Sequence, residues 1–170
     1  MSAIKARYSP IGHINVMHQL YNEELLDGYI LLLAHHVVAF PEEHKQFLEL
    51  LRSGVMGVAT QDVTVILDNS LIELGNAVDL DLMRKAVEIT KPTYVVLPDV
   101  LLDRQATEIA FVKAYEEWKE LLDYAPDTSY LAVVQGAGLE EMLLCGKTYY
   151  DYNLANGELI GAFGDRKSVV

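Results

Sequence analysis

Tyr94-Val-Val-Leu-Pro-Asp-Val100 is an apolar run that stops abruptly at a carboxylate, and two other runs stop in the same way. Thr64-Val-Ile-Leu-Asp68 ends on an acid, and Tyr130-Leu-Ala-Val-Val-Gln-Gly136 ends on an amide followed by glycine. A strand that stays apolar for about four or five consecutive residues is expected to be buried on both faces, as in a parallel sheet. The residue at its carboxyl end is then the first to reach solvent, which is where ligands bind in open α/β sheets and in barrels. Asp68, Asp99 and Gln135 are therefore candidates for one shared site.

Outward from these runs the chain alternates. Strands are expected at Tyr29 to Ala34, Val63 to Leu67, Thr93 to Leu97, Ser129 to Val134 and Glu158 to Phe163. Helices are expected from Pro41 to about Ser53, where proline and two acids suit a helix start, and from an N-cap at Asp79 to about Thr90. A third should run from Arg104 to Tyr124 with Ile109, Val112 and Trp118 inward, followed by a short one at Leu139 to Cys145. A short helix over Met17 to Leu26 belongs to an N-terminal extension, residues 1–28; βα units fill 29–164 and a tail follows. Serial βα units with right-handed connections predict an α/β fold with a parallel sheet in one domain, either doubly wound or part of a (β/α)8 barrel. A complete barrel takes about 250 residues.

Composition narrows the function. Among 170 residues, 51% are hydrophobic, enough for a single core, and the one cysteine, Cys145, can neither form a disulfide within the chain nor build a zinc cluster. No apolar run suits a signal peptide or a bilayer span, so a cytoplasmic location without membrane contact is expected. The formal net charge of −12 argues against a broad basic surface for nucleic acid, so DNA or tRNA would need a local patch or a partner.

Two strand-end carboxylates can divide the roles of general acid, base and acceptor. Their plain alternative is to cap the segments that follow. Gln135 can both donate and accept, and Gly136 would let a flat ligand approach the backbone, which together suit an amide-bearing heterocycle. Gly136-Ala-Gly138 lacks the further glycine of a dinucleotide fingerprint, since position 141 is Glu. His35 and His36 with Asp68, Glu73, Asp99 and Asp103 supply metal-ligand types, but adjacent histidines at a strand end should face opposite ways. No metal and no cofactor is expected.

Asp68 with Glu73 and Gly75, Pro98-Asp99, Val133-Val-Gln-Gly136 and Ile160-Gly-Ala162 fall in the order and spacing of the tRNA-guanine transglycosylase superfamily. The closer likeness is to its phage and bacterial members that place 7-deazaguanine bases in DNA. The resemblance spans about residues 29–164 and implies a (β/α)8 barrel that exchanges guanine for a deazapurine through an aspartate–sugar covalent link. It implies that Asp68 contacts the base and can act in proton transfer, and that Asp99 accepts from the purine's amino edge. Gln135 and Gly136 would meet the base carbonyl, with Ala162 where a glycine amide usually does so. Where the tRNA enzymes carry Asp-Ser-Gly-Gly and a stacking aromatic, this chain has Asp68-Asn69-Ser70-Leu71 and then Ile72, and Glu73 replaces a glutamine. The family's nucleophilic aspartate belongs to a later strand, and its C-terminal zinc site has no counterpart.

The expectation is thus an incomplete or shortened barrel of this type that binds a purine or 7-deazapurine. Its open edges would be covered by a complementing chain or by homo-oligomerisation. Two alternatives stand beside it: a non-catalytic binding or assembly protein that keeps the fold, and a metal-dependent hydrolase using His35, Asp68 and Asp99.

Overall fold

The structure is a computed structural model that describes residues 13–23, 25–26, 29–53, 63–118, 121, 125–156 and 161–164, the last strand and residues 153–156 by backbone alone. Five strands, β1 (Tyr29–Leu33), β2 (Thr64–Asp68), β3 (Tyr94–Val96), β4 (Ser129–Val134) and β5 (Gly161–Gly164), form one sheet. All neighbours pair in parallel and their spatial order is the order of the sequence. The fold is α/β with a parallel sheet, as the spacing predicts. A doubly wound sheet reverses its strand order at a switch point. These five strands do not reverse, and right-handed crossovers repeated in one direction stack helices on one face.

Burial follows that rule. Ile30, Leu32, Val65, Leu67, Val95 and Ala132 point to one side and are buried in the main apolar cluster, together with Phe47, Met83, Phe111 and Trp118 from the helices. Their in-between neighbours Leu31, Ile66, Tyr94 and Leu131 are only half-buried. The expectation that these runs are covered on both faces is therefore corrected. Among the described side chains, double burial holds only near the carboxyl ends, at Leu33, Val96 and Val133.

Seven helices accompany the sheet among the described residues. α1 (Ile14–Asn22) buries Ile14, Met17 and Tyr21, so this part of the N-terminal extension belongs to the core. α2 (Ala34–Ala39) follows β1 directly, and α3 (Pro41–Arg52) buries Phe47, Leu48 and Leu51. The sequence predicts a loop at Gly54 to Asp62, which lies outside the described residues. α4 is the single turn Leu71–Leu74, in the stretch Asn69 to Gly75, where the short interrupted sequence predicts no helix. α5 (Leu80–Thr90) has Asp79 as its N-cap, whose side chain accepts from Leu82 N at 2.8 Å. Its last carbonyls receive Arg52 from α3, with 2.7 Å to Thr90 O, the cation a helix C-terminus favours.

α6 (Arg104–Glu117) is capped by Trp118, which is inward as expected, but its inward face otherwise corrects the expectation; residues 119–120 and 122–124 of the expected helix lie outside the described ones. Thr107, Phe111, Ala114 and Tyr115 face the core, whereas Ile109 is 70% and Val112 43% exposed. The helix has two apolar stripes, and the aromatic one, with more area to bury, faces the sheet. α7 (Leu139–Asn156) runs as one helix through the tyrosines at 149–152, and Tyr149 is buried while Tyr150 is exposed. No helix among the described residues is long and apolar enough to cross a membrane.

Candidate functional site

The tips of β2, β3 and β4 meet in one hydrogen-bonded cluster, and each tip is shaped by its own short polar residues. After β2 the chain folds tightly on itself: Ser70 N donates to Asp68 Oδ1 at 2.7 Å and Leu71 N to Asn69 Oδ1 at 3.0 Å. Ser70 is fully buried and holds φ 62°, ψ 21°, left-handed geometry that is rare outside glycine, asparagine and aspartate. This turn aims the Asn69 amide across the sheet, where Nδ2 donates to Leu97 O at 2.8 Å and to Asp99 Oδ1 at 3.0 Å.

The β3 tip is continued by Leu97 N donating to Leu131 O at 2.9 Å, then by Pro98 and Asp99. The loop beyond is pinned by Thr107, whose Oγ1 accepts from Val100 N and donates to Val100 O, both at 2.9 Å. From the β4 tip, Gln135 Nε2 donates to Asp99 Oδ2 at 2.7 Å, and its Oε1 accepts from Leu102 N at 3.1 Å. Leu102, like Ser70, has a positive φ, 60°.

These partners settle which way the amides point. A backbone N–H can only donate, so the oxygens of Asn69 and Gln135 face Leu71 and Leu102, and both amide nitrogens face Asp99. Asp99 thus accepts on each oxygen, the pattern of a carboxylate held from two sides. Burial is deep but not complete: Asn69 is 1%, Gln135 3% and Asp99 8% exposed. Tyr149 on α7 closes the floor, donating to Val133 O at 2.9 Å. Burial first, then the Cys145 thiol and the charges of Asp99 and Glu108, push its phenol far above the usual value.

The other expected residues are placed differently. Asp68 is half-buried and forms the turn, one oxygen taken by Ser70 N. Ile72 and Glu73 lie on α4, both exposed. At Gly136 an added Cβ would stand 2.6 Å from Glu141 Cβ and 2.8 Å from Met142 N, so its bare face admits the first turn of α7 rather than a flat ligand. Ala162 pairs with Ala132, in the body of the sheet, while Gly164 pairs with Val134 at the tip level.

His35 and His36 do not alternate on a strand, because the chain turns helical at Ala34. Their ring centroids are 4.2 Å apart, and both Nδ1 atoms are buried without a hydrogen-bond partner. His36 sits below the usual imidazole range, first from burial and then from His35 and His13, with Glu73 opposing. Among the described residues no group of three or more His, Cys, Asp or Glu is arranged to hold a metal.

Asn69 and Thr107 are the residues that strand-end reasoning missed. The available signal was three short polar residues in succession, Asp68-Asn69-Ser70, each able to bond local backbone. Chemically, the cluster offers a fixed carboxylate acceptor beside a Gln135 amide, which suits a ligand edge of adjacent N–H donors and a carbonyl. No family model and no curated protein matches the chain.

Proposed function

We propose that this chain is a guanine or 7-deazaguanine transglycosylase-like protein that binds a purine or 7-deazapurine base at the tips of β2 to β4. The observation that carries the reading is Asp99, held between Asn69 and Gln135 with Oδ–N distances of 3.0 and 2.7 Å. In this reading Asp99 accepts the base's amino edge, and an amide hydrogen of Gln135 meets the base carbonyl. Asp68, at the neighbouring tip, is the candidate acid or base. A barrel-type architecture is supported by the unreversed parallel strand order. Further support comes from Ser70, which takes a positive φ where the resembled enzymes carry glycine.

The nucleophile belongs elsewhere in this reading. The half-buried sheet face with Leu31, Ile66 and Leu131 is the face that a complete barrel fills with its own side chains. A complementing chain or a second copy would cover it, and of the two only a complementing chain would bring the later strand's aspartate. The same face favours a second reading, an assembly protein that keeps the fold without the reaction. Calorimetry with guanine, preQ0 and preQ1 separates the two. Base binding that Asp99→Ala removes supports the first reading, and absence of heat with all three ligands favours the second.

A further inference from the structure

We infer that Asn69 is a positioning residue for Asp99, fixing the carboxylate as an acceptor toward the mouth of the sheet; for ligand binding, this rests on the nucleobase reading above. The resembled enzymes carry serine at this position, and this chain carries an amide that reaches from the β2 tip to the β3 tip. It binds Leu97 O at 2.8 Å and Asp99 Oδ1 at 3.0 Å with one nitrogen, while its oxygen is tied to Leu71 N at 3.0 Å. Both ends of the amide are engaged, so it cannot rotate without breaking two backbone bonds. Gln135 holds the other oxygen at 2.7 Å and is itself tied to Leu102 N at 3.1 Å. A carboxylate fixed from both sides cannot swing to meet a ligand; the ligand must match it. That restricts ligands to those with two donors at fixed spacing and spares the entropy of ordering the acceptor on binding.

A packing role alone would make Asn69 important for stability and for nothing else. The positioning role adds that Asp99 loses a donor to its charged form when Asn69 is replaced, so its proton affinity rises. Among the described residues, the titratable groups on the elements that meet here include Asp68 at the end of β2, Asp103 at the start of α6 and Glu108 along it, and Cys145 and Tyr149 on α7. Tyr149 remains protonated throughout the accessible range because burial raises its phenol.

The test uses the full chain with Asn69→Leu and Asn69→Ser, the second serving if the first does not fold. The Asp99 carboxyl titration is followed by its carbon resonance, and binding of preQ0 and guanine by calorimetry. The titration midpoint is expected to rise in both variants, and affinity to fall about tenfold, as for loss of one hydrogen bond to a charged group. Asn69→Asp adds a pH signature: its carboxyl donates only when protonated, so its affinity should recover as pH falls. An unmoved Asp99 titration in the folded variants overturns the positioning role, whatever the ligands do. Failure of the unsubstituted protein to bind any base, with the titration still displaced, sinks the nucleobase reading and leaves the positioning role standing.

Discussion

Gln135 Nε2 lies 2.7 Å from Asp99 Oδ2, joining the β4 tip to the β3 tip through a contact almost sealed from water. Gln135→Leu would leave Leu102 N without its acceptor and one Asp99 oxygen without its donor. Unmade bonds to buried polar groups cost about 1–3 kcal/mol each, so a loss of about 2–6 kcal/mol in urea unfolding is expected. Gln135→Glu should be worse at neutral pH, where it sets two carboxylates against each other, and should regain stability on acidification as the pair shares a proton. A stability difference between Gln135→Glu and the parent protein that is the same at pH 5 and pH 8 would contradict the contact.

Ser70 makes a sharper case for backbone geometry. A non-glycine residue in the left-handed region costs about 1–2 kcal/mol, and Ser70 holds φ 62° in a fully buried turn. Its hydroxyl gives back only a 3.4 Å contact to His35 N. Ser70→Gly is therefore expected to keep or raise the melting temperature despite the greater entropy of the unfolded chain, and Ser70→Val to lower it markedly. The pair of melting curves checks both the turn and the strain.

Glycine positions 136 and 138 are two residues apart in sequence and opposite in consequence. Gly136→Ala would drive a methyl within 2.8 Å of backbone at Met142, whereas nothing lies within 4 Å of an added Cβ at Gly138. Overpacking of this kind costs about 1–3 kcal/mol. Gly136→Ala should lose about that much in denaturant unfolding and Gly138→Ala should be close to neutral. Equal stabilities would show that α7 does not approach the β4 tip as described.

Much of the scaffold was legible because it rests on periodicity and punctuation. The spacing predicts β4 at Ser129 to Val134 residue for residue, and Asp79 and Pro41 mark their helix starts. Periodicity failed at α6, where Ile109 and Phe111 compete for the inward face; the decision belongs to tertiary packing. It failed again at His35 and His36, since a six-residue helix directly after a strand leaves no apolar period to detect. At the site, the strand-end rule found Asp99 and Gln135 but not Asn69, because which side chain crosses between strands depends on the left-handed turn at Ser70. Gly136 was legible as a special position, though its cause is helix packing.

His44 on α3 supplies the pH dependence. It is 2% exposed, and its Nδ1 lies 2.7 Å from Phe40 O. Since a carbonyl can only accept, Nδ1 carries the proton of the neutral ring. Burial holds His44 below the ordinary imidazole value of 6.5, outweighing the Phe40 bond, and His36 is lowered for the same first reason. A group whose folded pKa is depressed binds more protons when unfolded, so stability rises with pH between the two values. These histidines therefore contribute fully above about pH 6.5, the unfolded value, and their contribution is lost as pH falls toward the folded values. His44→Gln should flatten the slope of unfolding free energy against pH below about 6.5. An unchanged slope would assign the acid sensitivity to other groups.

The two faces of the sheet should respond differently to substitution. Leu67 is fully buried on the helix-covered side, and Leu67→Ala is expected to cost about 2–5 kcal/mol. Ile66, its neighbour on the same strand, is half-buried on the other side, where fewer atoms surround it. Ile66→Ala should cost well under half as much in the isolated chain, because little cavity can form where little is packed. If a second copy or a complementing chain covers that face, Ile66→Lys should shift sedimentation toward the free chain while leaving its own unfolding midpoint nearly unchanged. Equal costs for Leu67→Ala and Ile66→Ala in the dissociated protein would mean that both faces are already filled by the chain itself.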